Sequence, residues 1–144
     1  MTPIFKMSGI YTPLVTPHHD DGSFNLPALA NNIDYLVDAG VHGLITGGST
    51  GENYTQTTAE RIELAQFTHN HLAGRLPLIV GTGTLSTDDS IEMAAAAKDM
   101  GADAILLATP PYSVPTEREN ALNALAIGRR ICRLFCIITP DGWA

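Results

Sequence analysis

Three residue types are scarce in this chain of 144 residues, which has two lysines, two cysteines and one tryptophan. Basic residues are few as a class, because eight Lys and Arg face fifteen Asp and Glu and give a formal net charge of -7. An acidic chain lacks the basic footprint that nucleic acids and anionic membranes require, so neither is expected as the main partner. Cys132 and Cys136 do not form the pattern of a disulfide framework.

Long apolar runs are also missing. No segment approaches the ~18 consecutive apolar residues that cross a bilayer, and the first residues show no charged leader followed by an apolar stretch. The composition, 44% hydrophobic and 16% charged, is typical of a globular protein. We therefore expect a soluble, cytoplasmic protein whose length suffices for one domain with a buried core.

What the chain does contain is an alternation of short aliphatic runs with helix-period segments. The runs are continuous, which indicates strands buried on both faces and hence a parallel sheet covered by helices. The predicted strands lie within 9–17, 41–46, 76–83 and 102–112, and the predicted helices within 27–40, 57–74, 86–101 and 116–128. Local signals support the helix ends. The pairs Thr57 with Glu60 and Thr116 with Glu119 have the spacing of capping boxes, and left-handed C-caps are expected at Gly40, Gly74 and Gly101.

The spacing of the strands indicates the fold. Successive strands are 34 and 28 residues apart, measured from His42 to Leu76 and from Leu76 to Ala104. A TIM barrel repeats every ~31 residues over about 250. We therefore predict an α/β fold with about four βα units, the N-terminal half of such a barrel. A flavodoxin-like doubly wound sheet of about 100–150 residues is the alternative.

The second predicted strand runs into the sequence GGSTGEN, residues 47–53. In both candidate folds, the loops at the carboxyl ends of the strands form the functional site. Glycines let the backbone approach a ligand closely, and the hydroxyls of Ser49 and Thr50 with successive N–H groups suit a small carboxylate. The sequence has neither a P-loop nor the spacing of a dinucleotide fingerprint. A tight turn with polar filler is the alternative.

Several motifs, in this order, resemble the dihydrodipicolinate synthase and N-acetylneuraminate lyase family: YTPLVTP, GGSTGEN and VGTGTLSTDDSIEMAAAAKDMGADAILLATPPY. The resemblance covers about residues 9–127. It implies a TIM barrel and class I aldolase chemistry on pyruvate or a related 2-oxo acid, with no cofactor and with full-length members as homo-oligomers. It also implies a carboxylate-binding site made of Gly48, Ser49, Thr50 and Gly51.

The resemblance further implies that Tyr112 and Thr50 take part in catalysis, the tyrosine in a proton relay that reaches across a dimer interface. In TPPY, a proline occupies the position where many synthases carry a second tyrosine. This departure leaves the aldehyde or sugar-acid partner open. The alternative for Tyr112 is a loop aromatic that packs against a neighbour.

The family's chemistry needs a lysine on the sixth strand, which forms a Schiff base with the ketone. Its amine must be desolvated for the pKa to fall. Of the two lysines here, Lys6 precedes the first strand and Lys98 lies in the third predicted helix, where we expect it to be solvated. We therefore expect this chain to lack the activity. Two other outcomes stay open: a non-catalytic half barrel with a weak carboxylate site, and a fragment that aggregates through its open first and fourth strands.

Residues 128–144 depart from the pattern, and we assign the barrel half to 1–127. The tail has no helix period, and it holds both cysteines and the tryptophan. One permitted choice of codons for Ile131 to Ala144, read from the last base of the Ile131 codon, encodes LPVILYNYPGRMG, a buried strand followed by the family's Y-N-x-P-G turn. This match predicts a reading-frame shift near 127–128. A genuine divergent tail is the alternative.

Other polar groups are weaker candidates. The HHDD segment, 18–21, has metal-ligand residue types, but Asp-Asp-Gly more simply forms a turn, so no metal site is predicted. His69 and His71 point in different directions on a helix and are expected to be solvated. Glu52 is either an acid–base group or a carboxylate that accepts hydrogen bonds from the loop backbone.

Overall fold

The four predicted strands form one parallel sheet in the computed structural model, which describes residues 7–110 and 115–129. The strands are short, with three or four residues each. Their bounds are β1 Tyr11–Pro13, β2 Gly43–Thr46, β3 Leu78–Gly81 and β4 Ala104–Leu106. All three pairings are parallel, and in register Pro13 lies beside Ile45, Ile45 beside Ile79, and Ile79 beside Ala104.

A helix follows each strand, and the predicted end signals are present. The helices are α1 Leu26–Asp38, α2 Thr58–Leu72, α3 Thr87–Met100 and α4 Glu117–Gly128. Both capping boxes form, with Thr57 and Thr116 as N-caps that exchange hydrogen bonds with the glutamate three residues on. The three glycines predicted at the helix ends all have positive φ: Gly40, Gly74 and Gly101.

The order of the strands decides between the two predicted folds. Within the described residues the order is β1-β2-β3-β4, so each strand lies beside the next one in the sequence. A flavodoxin-like sheet places its first strand between the second and the third. Here β2 lies between β1 and β3, which is the arrangement of a TIM barrel. The prediction of four βα units in barrel order is confirmed, and the doubly wound alternative is wrong.

The core lies between one face of the sheet and the helices. Leu44, Leu78, Val80 and Ile105 belong to a buried cluster with residues of the helices, including Leu29, Ile33, Leu64, Met93 and Ala97. Since side chains alternate along a strand, Ile45 and Ile79 lie on the opposite face of the sheet. In the described part of the chain, no helix is both long and apolar enough to cross a bilayer.

An ion-pair cluster joins α1 to the end of α2. Asp34 of α1 lies 3.0 Å from the imidazole of His71 and 2.7 Å from the guanidinium of Arg75. The prediction that His71 is simply solvated is therefore wrong, because the neighbouring helix supplies it with a carboxylate. His69 is also half-buried, and its Nδ1 has no partner among the described residues.

We expect Asp34→Asn to change how stability depends on pH. Hydrogen bonds lower the pKa of Asp34; the bond from Arg75 has the largest effect, and the bond from His71 has the next largest. A carboxylate with a lowered pKa stabilises the fold above its unfolded-state pKa, and this stabilisation is lost as pH falls through the folded-state pKa. In thermal unfolding, the Tm difference between wild type and variant should therefore shrink below pH ~4. Asp38→Asn, at an exposed position of the same helix, is the control; a Tm difference independent of pH would contradict the assignment.

Candidate carboxylate-binding site

The predicted carboxylate site forms the loop directly after β2. Gly48 has extended backbone, with φ -84° and ψ -178°, and precedes a 3-10 turn at Ser49–Gly51. The turn is closed by Gly51 N–H, which donates to the Gly48 carbonyl, and by Glu52 N–H, which donates to the Ser49 carbonyl. The structure thus brings the four predicted binding residues into one turn at the carboxyl end of a parallel strand, where ligands bind in such sheets.

The donors needed for an anion lie on the outer part of this turn. Ser49 and Thr50 are exposed, whereas Gly51 is buried. Their two N–H groups are in the first turn of the 3-10 helix, where no carbonyl of the helix is available to them, and they donate to no other group among the described residues. Two hydroxyls and two backbone N–H groups are therefore available to a small carboxylate.

Side chains from outside the turn hold its two ends. Asn53 Nδ2 donates to the Gly47 carbonyl at 2.9 Å, and Gly47 has the positive φ, +69°, that glycine tolerates. At the other end, Thr16 Oγ1 and Gln56 Nε2 each donate to the Gly51 carbonyl at 2.8 Å. The carbonyl oxygens of Gly47 and Gly51 therefore already have donors. The exposed N–H groups of the turn are the groups that a ligand meets.

The end of β3 packs closely against the start of the loop. A Cβ built on Gly81 would lie 2.6 Å from the carbonyl carbon of Gly47, which is closer than real Cβ contacts allow. Only glycine therefore permits this approach of the two strand ends. Because Gly47 begins the loop, its position is set by β3 as well as by β2.

Arg61 of α2 binds the same end of β3. It is not among the site residues predicted from the sequence. Its guanidinium donates to the Gly81 carbonyl at 2.9 Å and to the Gly83 carbonyl at 3.1 Å. The side chain is only 5% exposed, and burial lowers its pKa. A signal was available, because Arg61 lies on the stripe that also holds the other buried residues of α2: Leu64, Ala65, Thr68 and Leu72.

Two other residues considered in the sequence, Lys98 and Glu52, are both exposed. Lys98 is exposed in the last turn of α3, at the opposite end of the sheet from the loop, since helices in βα units run antiparallel to the strands. Glu52 is exposed at a left-handed φ of 58°, and its carboxylate accepts no hydrogen bond from the described residues. Tyr112, Lys6 and residues 130–144 of the predicted tail lie outside the described residues.

The HHDD segment forms a turn. Asp21 accepts hydrogen bonds from the N–H and the hydroxyl of Ser23, and both bonds lower the pKa of its carboxyl. His18 forms a β-bridge with Phe24, and the two rings pack in a tilted arrangement with their centroids 5.3 Å apart. In 7–110 and 115–129, no group of three or more His, Cys, Asp or Glu is arranged to hold a metal ion.

Comparison with known proteins identifies the family to which this fold belongs. The model of the dihydrodipicolinate synthetase family matches residues 6–125. The chain belongs to this family. The 4-hydroxy-tetrahydrodipicolinate synthase of Cellvibrio japonicus is 37% identical over 127 residues, which cover 84% of this chain and 44% of that relative. The chain thus spans less than half the length of this dihydrodipicolinate synthetase family member.

Solved structures of the family have the same architecture in their matching part. Dihydrodipicolinate synthase from Aquifex aeolicus aligns with a TM-score of 0.86 at 32% identity, covering 92% of this chain and 44% of the other. YagE, a prophage protein of the dihydrodipicolinic acid synthase family from E. coli K12, was solved in complex with pyruvate; it aligns with a TM-score of 0.86 at 32% identity, covering 90% and 43%. The described fold is therefore the N-terminal part of the family's barrel.

Proposed function

We propose that this chain carries the carboxylate-binding part of a lyase or synthase that forms a Schiff base with pyruvate or a related 2-oxo acid. One observation carries the proposal: the turn of Gly48, Ser49, Thr50 and Gly51 presents two hydroxyls and two N–H groups at the carboxyl end of β2. The pyruvate complex of YagE, a relative with 32% identity, supports this class of ligand. The full-length protein is proposed to act in the cytoplasm as a homo-oligomer.

Each protein group of the site has a role in this proposal. The hydroxyls and N–H groups of Ser49 and Thr50 hold the substrate carboxylate, so that the adjacent ketone has a fixed position. In the parent reaction, a lysine amine attacks that ketone and water leaves, which gives a protonated imine that withdraws electrons from the neighbouring carbon. Thr50 and Tyr112 are proposed to move protons in this reaction. The sequence 1–144 supplies the carboxylate site but has no third lysine.

We expect pyruvate to bind the chain weakly through its carboxylate. In titrations followed by NMR, the amides of Ser49 and Thr50 should shift with pyruvate and with lactate, which share the carboxylate. Acetone, which keeps the ketone and lacks the carboxylate, should leave those amides unmoved. Ser49→Ala should weaken binding of pyruvate about tenfold, since a hydrogen bond to a charged group is lost. Equal shifts with acetone and pyruvate would contradict a carboxylate site.

We expect no Schiff base to form on the 144-residue chain. Incubation with pyruvate and borohydride would fix any imine as a secondary amine, which mass spectrometry detects. Lys98 is exposed and lies at the opposite end of the sheet from the loop, so its amine cannot reach a ketone held there. The mass should stay unchanged. A pyruvate adduct on Lys6 or Lys98 would refute the proposal that this chain cannot carry out the chemistry.

We also propose that residues 128–144 arise from a shifted reading frame and that the barrel half ends near 127. Helix α4 extends to Gly128, and the side chain of Ile127 is buried, so the sequence supports the fold up to this point. Sequencing the gene tests the idea. An uninterrupted frame that encodes these residues in relatives with a complete barrel would refute it, whereas a one-base restoration that yields LPVILYNYPG would support it.

The aggregation alternative rests on the edges of the sheet. Within the described residues, β1 pairs only with β2 and β4 only with β3. Such open edges can pair with other chains. Pro13 weakens this tendency at β1 because it has no N–H to donate. Size-exclusion chromatography separates the alternatives: a sharp small species supports the carboxylate-binding half barrel, and material in the void volume supports aggregation.

A further inference from the structure

The carbonyl of Gly51 accepts hydrogen bonds from two side chains. Thr16 Oγ1 and Gln56 Nε2 both donate to it at 2.8 Å. The two donors also contact each other, since Gln56 Nε2 lies 3.3 Å from Thr16 Oγ1. Thr16 belongs to the segment after β1, and Gln56 directly precedes the N-cap of α2. Two separate parts of the chain therefore converge on one carbonyl.

Packing fixes the same peptide group. Gly51 is buried, and a Cβ at this position would lie 3.0 Å from the Leu14 carbonyl oxygen and 3.2 Å from Thr16 Oγ1. The neighbouring N–H groups of Gly51 and Glu52 close the 3-10 turn. A rotation of the Gly51 peptide would break its two side-chain bonds and would open this turn. The orientation of Gly51 thus determines whether the turn of Ser49 and Thr50 exists.

The two donors also bear on the electrostatics of the loop. A carbonyl oxygen carries a partial negative charge, which repels a carboxylate that binds nearby. A hydroxyl and an amide N–H on that oxygen offset this charge and hold the oxygen in place. A preorganised site loses less conformational freedom when it binds, which increases affinity without a new contact to the ligand.

From these contacts we propose that Thr16 and Gln56 are positioning residues of the carboxylate site, which they support by holding the Gly51 carbonyl. This inference rests on the proposed function, and it adds two residues that do not belong to the loop itself. Neither residue needs to touch the ligand. Their common effect is to keep the turn closed, so that the N–H groups of Ser49 and Thr50 are ready for an anion.

The first test uses the chain without ligand. Gln56→Leu and Thr16→Val remove the donors at nearly constant size, and Thr16→Ser keeps the hydroxyl. Amide hydrogen exchange at Gly51 and Glu52 should become about tenfold faster in Gln56→Leu and Thr16→Val, because one hydrogen bond that holds the turn is lost. It should stay close to wild type in Thr16→Ser. Unchanged exchange in both Gln56→Leu and Thr16→Val would overturn the proposal.

The second test measures pyruvate binding by the same NMR titration. Gln56→Leu and Thr16→Val should raise the dissociation constant about tenfold, and Thr16→Ser should restore it. Gln66→Leu, at an exposed position of α2, is the matched control and should bind as wild type. Variants that bind pyruvate as tightly as wild type overturn the positioning role. If wild type itself does not bind, the proposed function fails, while the exchange experiment still decides whether the two residues hold the turn.

Discussion

Gly81→Ala is expected to destabilise the chain by about 3 kcal/mol, the upper part of the range for overpacking a tight contact. The added methyl group would meet backbone atoms of Gly47 and, at 3.2 Å, the nitrogen of Gly48. Backbone cannot rotate away as a flexible side chain can, so β2 and β3 must separate at their carboxyl ends. This separation should displace Gly47 and with it the start of the carboxylate loop.

Chemical unfolding and the pyruvate titration check both parts of this expectation. The free energy of unfolding should fall, and the dissociation constant for pyruvate should rise, because the loop begins at the displaced residue. Gly48→Ala is the control for stability: its φ is negative, and a Cβ there has no heavy atom of the described residues within 4 Å. That variant should be as stable as wild type or slightly more stable. Equal stability of Gly81→Ala and Gly48→Ala would contradict the close approach.

The contact between Gly47 and Gly81 could not be predicted from the sequence alone. Both glycines stand in recognisable motifs, and the loop residues 48–51 were identified from them. The approach of one glycine to the other depends on the register of β2 and β3, which pairs Thr46 with Val80. Register follows from the packing of whole strands and helices, and a local motif does not contain it.

The helix ends were predicted from the sequence because the interactions that set them are local. Capping boxes and C-cap glycines act within a few residues, so α2 and α4 begin where Thr57 and Thr116 predict. The first strand was predicted within 9–17, but only Tyr11–Pro13 forms a ladder. Tertiary contacts limit the length of β1. This strand has one neighbour among the described residues, and Leu14 adds a single hydrogen bond to Ile45. Strand length therefore depends on partners that the run of apolar residues does not reveal.

The residues that support the site were missed because residue type alone does not reveal their partners. Thr16, Gln56 and Arg61 form bonds across 35, 5 and 20 residues of sequence to Gly51 or Gly81. Threonine, glutamine and arginine are common on surfaces, and their type alone gives no sign of a buried partner. Arg61 could have been found, because a charged residue on the buried stripe of a helix needs a partner. Thr16 and Gln56 carried no comparable signal.

Arg61→Met is expected to destabilise the chain by about 2–4 kcal/mol. Two opposing effects set this value. Removing a buried cation that pairs with no carboxylate among the described residues relieves the desolvation that lowers the Arg61 pKa. The carbonyls of Gly81 and Gly83 would, however, lose donors that are worth about 1.5–3 kcal/mol each. Methionine fills the space but offers no donor, so the loss of the two hydrogen bonds should prevail.

Matched variants distinguish this expectation from a general effect of removing charge. Arg118→Met, at an exposed position of α4, should change the free energy of unfolding by less than about 0.5 kcal/mol. Arg61→Lys keeps the charge but cannot supply two donors in a fixed plane, so its stability should lie between those of wild type and Arg61→Met. If Arg61→Met unfolds at the same denaturant concentration as wild type, the cost of burying the cation cancels its hydrogen bonds. The start of the loop would then depend on the backbone packing of Gly81 against Gly47 more than on α2.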